Sequence, residues 1–510
     1  MDIASNKKVT QGVAWASTAS WGCQLLSFAI YTGLARLLDP ETFGLVAIAG
    51  VYIALIQVLV AQGFGMAIIQ RPQVDNKHLD SAFWIAMTTA FLFCFLSHLF
   101  GGQIARLFGE PRIAAVIGWL SLSLFFYAMS SVQMAILTRE LNFRALAVRS
   151  LLATTIAGAV GLAMAFFGWG VWSLVGQQLA NAILGSVFMW WSVSWRPGLR
   201  ISRQHLGDLY KFSLSVTGND LLWFFSQKSD QTMVGYGFGS LGLGPYSLAS
   251  RLPTLLHDAI IGPLQSVAFP TLSKLQSEPL RFERALLKFC EVSTLISFPL
   301  FAGIVAIAPS LVPWLFGPKW LAAIPLLQIL AIYGAVRSAL AFMHPLMLSK
   351  GRAGLYLAMN VILTSLTLTG CFVAVHWNPR AIALSVVLTM LLFAAIFLVI
   401  ARRPLELRIL PLLKTFVFPG VTSLFMLIVV TFVRRFISMI FAPAISVVVC
   451  VVAGVVVYCL TAYYGRPDLL KAIWELVASH IFSSSCASRL DAPPMPGDYV
   501  VKAAPGSSES

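Results

Sequence analysis

Apolar residues run in long uncharged blocks along nearly the whole chain, each about 20 to 30 residues before charge returns. Such blocks suit helices, because about 20 residues rising about 1.5 Å each cross the roughly 30 Å hydrocarbon core of a bilayer. Boundaries set where charge returns predict fourteen spans, at about 11–35, 43–69, 82–105, 113–137, 150–168, 171–195, 209–236, 244–270, 292–316, 320–348, 354–377, 380–401, 413–433 and 437–464. The fifth and sixth divide one uncharged run, Ser150 to Trp195, which is far too long for one crossing and breaks at Gly168-Trp169-Gly170. The predicted fold is an all-α integral membrane protein, and the even number of spans puts both termini on one side.

Composition agrees: 58% of the 510 residues are hydrophobic and only 11% charged, against about a quarter charged in soluble domains. An ordinary soluble enzyme is excluded. The 35 Lys and Arg residues orient the chain, because short basic loops stay cytoplasmic. With the N-terminus inside, only Arg36, Arg106, Arg112, Lys319, Arg380, Arg434 and Arg435 reach the outer face, Lys228, Arg251 and Arg337 fall within spans, and the rest are cytoplasmic. This asymmetry and attraction to anionic inner-leaflet lipid account for the net charge of +15 without nucleic acid. The first span is too long for a signal-peptide core and is expected to be retained. Six of the seven cysteines lie in or at the end of spans with no C-x-x-C pair and read as small hydrophobes.

The basic connector at about 196–211 separates six spans from six more, which suggests an N-terminal lobe (1–200), a C-terminal lobe (201–402), two appended spans (403–465) and a cytoplasmic tail (466–510). An offset of 200 aligns GLARLLDPETFGLVAIA from Gly33 with MVGYGFGSLGLGPYSLA from Met233, with Gly44 matching Gly244 and Ala49 matching Ala249. Transporters are commonly built from such repeats, with the substrate site between them. In the tail, Leu470, Ile473, Trp474, Val477 and Ile481 recur at helical spacing, as in an interfacial amphipathic helix. The Ser, Pro and Gly-rich remainder reads as disordered.

No loop before the tail is long enough for a catalytic domain. There is no Gly-Lys dipeptide for a phosphate loop, no H-E-x-x-H, no D-x-D and no cysteine cluster, so an ATP-driven pump is excluded and no cofactor or metal is called for. Candidate chemistry lies in ionisable residues at membrane depth, each costing about 2.5–3.5 kcal/mol at a helix centre and so usually facing a cavity or a partner. The seventh span holds Asp220, Lys228 and Asp230, with Asp220, Gln227 and Gln231 on one face beside Trp223 and Phe224. That stripe suits a sugar-lined passage, although Lys228 and Asp230 could equally snorkel or pair. The eighth span sets Arg251 and Asp258 on one face, with His257 adjacent and Pro253 and Pro263 flanking Asp258, as in the interrupted helices of transport sites. In the tenth span Arg337 is expected at mid-bilayer, Tyr333 one turn above and His344 two turns below. The polar residues Gln57, Gln177, Gln178 and Asn181 read individually as helix–helix hydrogen-bond partners.

The stretches ARLLDPETFGLVAIAGVYIALIQVLVAQGFGMAIIQR from Ala35, LDSAFW from Leu79, SDQTMVGYGFGSLGLGPYSLASRL from Ser229, FPTLSKLQSEPLRF from Phe269 and LFGPKWLAAIPLLQILAIYGAVRS from Leu315 resemble the Wzx-like polysaccharide and oligosaccharide-lipid flippases of the multidrug/oligosaccharidyl-lipid/polysaccharide superfamily. The resemblance covers roughly residues 10–350. It implies a fourteen-helix, two-lobe fold in a bacterial inner membrane, with no enzymatic activity. Its implied role is to carry undecaprenyl-pyrophosphate-linked oligosaccharide units to the periplasmic leaflet by alternating access, for exopolysaccharide or lipopolysaccharide synthesis. It also implies a polysaccharide polymerase and chain-length machinery as partners. Carried onto this chain, the resemblance gives Arg251 and Arg337 as cations meeting the pyrophosphate and Asp230 as the acidic position opening the GYGFGS stretch. The resulting substrate-cavity set is Arg337, Arg251, Lys228, Asp220, Gln227, Gln231 and His344, with Asp230 and Asp258 left for ion coupling or structural pairing. Two rivals remain: ion-coupled export of small organic molecules on the same fold, and a membrane polymerase or glycosyltransferase, which would want a sizeable periplasmic loop.

Overall fold

The computed structural model describes residues 21–61, 63–71, 73–199, 203–402, 404–405 and 408–465, and these are helical apart from short turns. The tail, with its expected amphipathic segment, lies outside the described residues.

In chain order the helices are α1 (21–37), α2 (Pro40–Ala61), α3 (Phe64–Gln70), α4 (Asn76–Leu107), α5 (Arg112–Arg139), α6 (Phe143–Phe166), α7 (Val171–Ser192), α8 (Arg203–Lys274), α9 (Pro279–Leu315), α10 (Ala323–Ala339), α11 (Met343–Ser349), α12 (Ala353–Ala374), α13 (Pro379–Ala401), α14 (Ile409–Ile440) and α15 (Pro443–Gly465). Ten segments of this series are long and apolar enough to cross a membrane, α10 and α11 counting together as one. The other four expected spans correspond to α1, α7 and the two arms of α8.

The 72 residues of α8 do not form one rod. Gly239 has φ 60° and ψ −158°, a conformation open to glycine and strained for other residues, and it folds α8 into a hairpin of two spans. Gly168 and Gly170, both at positive φ, likewise break the long run between α6 and α7 where the sequence predicts.

Two expected spans are interrupted. The second stops at Ala61 and resumes at Phe64 after Gly63 (φ 64°), whose bare Cα lies against the Ser213 carbonyl and Val216 of α8. The tenth ends at Ala339 and resumes at Met343. Conversely, the expected interruption at Pro253 and Pro263 does not occur. Backbone angles stay helical there, so each proline only removes one N–H donor and frees a carbonyl one turn back.

The described residues as far as Val457 pack as one compact unit. Within that unit the hydrophobic cores are arranged asymmetrically. One core joins the helices before residue 200 (the first half) to those from 203 to 401 (the second half), with Leu34, Phe43, Ile48 and Ile117 packed in the same cluster as Leu243, Tyr246, Trp320 and Leu327. Towards the predicted cytoplasmic end the cores are separate: Phe64, Ile68, Leu79 and Phe83 in the first half, and Leu272, Phe282, Phe342 and Phe397 in the second.

Polar contacts reinforce the shared core at the predicted outer end. Trp320, fully buried, donates its indole N–H to the Ala35 carbonyl at 2.8 Å, and its ring meets Phe43 edge-on at 5.2 Å. Arg36 donates to the carbonyls of Trp314 and Leu315, and Lys319 pairs with Asp39 at 3.1 Å. At the opposite end Asp80, buried on α4, accepts from the Gly198 backbone at 3.0 Å while Trp84 donates to the Gly198 carbonyl at 2.9 Å, so the LDSAFW stretch anchors the connector after α7.

Candidate functional site

A cavity of about 640 Å³ lies between the halves, and one of about 220 Å³ adjoins it within the second half. Lys228, Gln231, Ser250 and Thr254 of the α8 hairpin line both and form the partition between them.

Hydrogen bonds between the two arms fix that partition. Lys228 Nζ donates to Gln231 Oε1 at 3.1 Å, and Gln231 Nε2 donates to Ser250 Oγ at 3.3 Å. Ser250 in turn donates to the Ser247 carbonyl. Asp230 points away from this chain. Its carboxylate accepts from Tyr246 Oη at 2.8 Å and from the Gln231 backbone N–H at 2.7 Å, so its oxygens are occupied by neutral donors.

The sequence-derived candidates sort into three places. Arg251 lines the larger cavity. Gln227, Asp230, Asp258 and Arg337 line the smaller one, with Trp223, Tyr333 and His257. Asp220 and His344 line neither. Asp220 is a partly exposed residue of the first α8 arm, and His344 is exposed on α11, its ring 4.5 Å from that of Tyr356. The separation of His344 from Arg337 follows from the break at residues 340–342: Arg337 occupies the last turn of α10, and His344 belongs to the next helix. There the negative end of the α10 dipole favours the arginine's charge. Among the described residues Arg251, Arg337 and Lys228 make no ion pair with a carboxylate, and no cluster of His, Cys, Asp and Glu is arranged to hold a metal.

Three features of the lining go beyond the roles the sequence suggests. Gln57, Gln177, Gln178 and Asn181, expected to bridge helices, instead line the larger cavity opposite Arg251, so the first half contributes a neutral amide wall. Their signal was the i, i+1, i+4 spacing on α7, which places three amides within about one turn. Tyr31 of α1 joins the same lining. His257 is buried and its Nδ1 lies 2.9 Å from Ser338 Oγ, which itself donates to the Gly334 carbonyl at 2.8 Å. The serine proton is thus committed, and His257 must present Nδ1–H as the donor.

The site therefore combines an amide-rich wall, unpaired cations and aromatic rings around a space closed at the predicted outer end. Such a lining can hold a polar, anionic group away from hydrocarbon without forming or breaking a covalent bond.

Comparison with known proteins agrees with this geometry. Residues 34–325 match the family described as polysaccharide biosynthesis protein. The succinoglycan biosynthesis transport protein ExoT of Rhizobium meliloti (strain 1021) is 27% identical over 326 residues, 64% of this chain and 66% of that protein. The lipopolysaccharide biosynthesis protein WzxC of Escherichia coli (strain K12) is 24% identical over 367 residues, 71% of this chain and 74% of that protein. The structure of the lipid II flippase MurJ in an inward closed conformation superposes with a TM-score of 0.71 at 15% identity, covering 89% of this chain and 99% of that one, which shows the same fold.

Proposed function

Because the chain belongs to the polysaccharide biosynthesis protein family, we propose that it is a flippase of a bacterial inner membrane. It moves undecaprenyl-pyrophosphate-linked oligosaccharide units from the cytoplasmic to the periplasmic leaflet, supplying exopolysaccharide or lipopolysaccharide synthesis. The carrying observation is the polar cavity between the halves, with unpaired cations inside and a shared hydrophobic core sealing one end.

A diphosphate cannot enter hydrocarbon unaided, and a guanidinium fixed in a water-poor site can meet it with two parallel charge-assisted hydrogen bonds. Arg251 and Lys228, which both line the larger cavity, receive the diphosphate in this reading. Arg337, Gln227 and Trp223 in the smaller one, with the amides of α7, suit sugar hydroxyls and ring faces. The two halves act as the lobes of an alternating-access pair, the α8 hairpin carrying the cations of the second lobe. Both termini then lie in the cytoplasm, and a polysaccharide polymerase with chain-length machinery receives the product.

The test is translocation of a labelled undecaprenyl-pyrophosphate oligosaccharide in proteoliposomes of the purified protein, with and without proton or sodium gradients, beside empty liposomes. Protein-dependent flipping supports the reading. Export of small organic molecules without any polyprenyl carrier would replace it with ion-coupled export of such molecules, for which Asp258 in the smaller cavity is the best-placed acid.

A further inference from the structure

Arg149 reads from the sequence as a cytoplasmic loop residue, but α6 begins at Phe143 and carries it about 10 Å in from the predicted cytoplasmic end. It is half-buried there against Gly185 of α7, which lies at a similar depth from Ser192. Its Nε donates to the Gly185 carbonyl at 3.1 Å, its only hydrogen bond among the described residues. Both terminal nitrogens of the guanidinium are left over.

No carboxylate offsets this charge. The sequence has no Asp or Glu between Glu140 and Asp208, a stretch that includes all of α6 and α7. The other helices packed on α6, namely α5 and the described part of α1, carry none either. An unpaired cation at membrane depth is expensive to insert, and such residues usually line the path of an ion or substrate. The guanidinium also has a built seat. A Cβ on Gly185 would lie 2.6 Å from a terminal nitrogen of Arg149, so the bare glycine is what leaves it room against α7.

The larger cavity begins about one turn further into the membrane. Asn181 lies four residues from Gly185 on α7 and Thr154 five from Arg149 on α6, and both line it. Gln178 and Gln177 continue the lining along α7 towards the level of Arg251 and Lys228. We infer that Arg149 is the entry site of this cavity, where the diphosphate of the polyprenyl carrier docks from the cytoplasmic leaflet before passing along the α7 amides to Arg251 and Lys228. This rests on the flippase reading and deepens it. The free fork of the guanidinium suits two diphosphate oxygens, and the long stem of an arginine lets it reach the level of lipid phosphates. A bulk phospholipid offers a phosphodiester to the same fork, so the test separates the two sources.

The experiment compares undecaprenyl pyrophosphate with phosphatidylglycerol as ligands of the full-length protein in detergent, counted by native mass spectrometry. Arg149→Gln should weaken undecaprenyl pyrophosphate about tenfold or more, the loss of a charge-assisted pair, and change phosphatidylglycerol less than twofold. Arg144→Gln, which removes an exposed charge nearer the end of the same helix, should change either lipid less than twofold. Gly185→Ala should weaken the diphosphate several-fold by displacing the guanidinium. Added to Arg149→Gln it should cause no further loss, because both changes act on one group. Thermal unfolding of Arg149→Gln should be no lower than wild type, whereas a purely structural tie would destabilise the fold when cut. In proteoliposomes the same variant should raise the half-saturating lipid concentration about tenfold and leave the saturated rate within twofold, as befits an entry site. Undiminished diphosphate binding in Arg149→Gln, an equal loss of phosphatidylglycerol, an equal loss in Arg144→Gln, or additive losses in the double variant would each overturn the assignment while leaving the flippase reading in place. A wild-type protein that neither retains undecaprenyl pyrophosphate nor moves it would overturn both.

Discussion

Gly44 of α2 and Gly244 of the second α8 arm make the same contact in opposite directions. A Cβ on Gly44 would collide with the Ser240 carbonyl, and one on Gly244 would collide with the Pro40 carbonyl. Gly44 and Gly244 are 200 residues apart, as are Pro40 and Ser240, the offset that aligns the two halves in sequence, so the contact is self-complementary in the way a two-fold interface is. Backbones this close are joined by Cα–H···O contacts and close packing of the kind small residues permit between membrane helices.

Gly44→Ala and Gly244→Ala should therefore have matching effects. Either methyl must push α2 from α8 at the predicted outer end, at the roughly 1–3 kcal/mol typical of overpacking, which is about 5- to 150-fold in a two-state equilibrium. The expected result is faster labelling of a cysteine placed at Ser240 and at least a tenfold drop in lipid translocation, of similar size in each variant. A large effect in one and none in the other would show that the contact is not shared equally.

The same end separates buried from exposed ties. Lys319 and Asp39 are 38% and 75% exposed, and an exposed pair of this kind contributes about 0–1 kcal/mol. Trp320 is fully buried, and losing its hydrogen bond strands the Ala35 carbonyl at a cost of about 1–3 kcal/mol. Thermal unfolding in detergent should rank Trp320→Phe well below wild type and Lys319→Gln close to it. The reverse order would mean that the outer end is held electrostatically.

Acid should loosen this end in a defined direction. Glu110, in the turn between α4 and α5, is held below the usual glutamate range chiefly by its hydrogen bond with Arg112, which also pairs with Glu41 of α2. A carboxyl depressed in the folded state contributes stability that is fully present above its unfolded value, about 4.3, and is lost as pH falls through the lower folded value. Labelling of a cysteine at Ser240 should thus be flat from neutral pH to about 5 and rise only below the ordinary glutamate range. Glu110→Gln should remove that acid-dependent component. A rise centred near pH 6.5 would point to a histidine instead.

The spans were legible because charge marks their ends, and even the α6–α7 break shows as two glycines in an uncharged run. The break after Ala61 was not, since no charge returns there, and the one after Ala339 follows a lone Arg337 that reads as lying within a span. The first needs the close approach of Gly63 to Ser213, a contact with a helix some 150 residues away, and its consequence for the chain direction cannot be read from hydropathy. The cations of the site were legible from the expense of burying charge. Gln57, Gln177, Gln178 and Asn181 were not, because an uncharged amide on a membrane helix faces either a neighbour or a cavity depending on how distant helices pack. His344 was misplaced for the same reason as the break: helical spacing was continued through residues where the helix stops.

Arg251 and Arg337 line different cavities, so they should fail differently. Arg251 lines the larger space with Lys228 as a second cation, and Arg251→Lys keeps the charge while losing the planar fork that takes two phosphate oxygens at once. It should retain partial translocation, with a several-fold weaker apparent affinity for the lipid diphosphate. Arg337 is the cation of the smaller cavity, stabilised by the carbonyl end of α10, and no neighbouring Lys or Arg in that lining replaces it there except Lys228 on the partition. Arg337→Ala and Arg337→Gln should both abolish translocation in proteoliposomes while leaving membrane insertion and thermal unfolding close to wild type. Using glutamine as well as alanine separates lost charge from lost packing of the arginine stem. Full activity in both would remove Arg337 from the transport path and leave the sugars of the smaller cavity to Gln227 and Trp223.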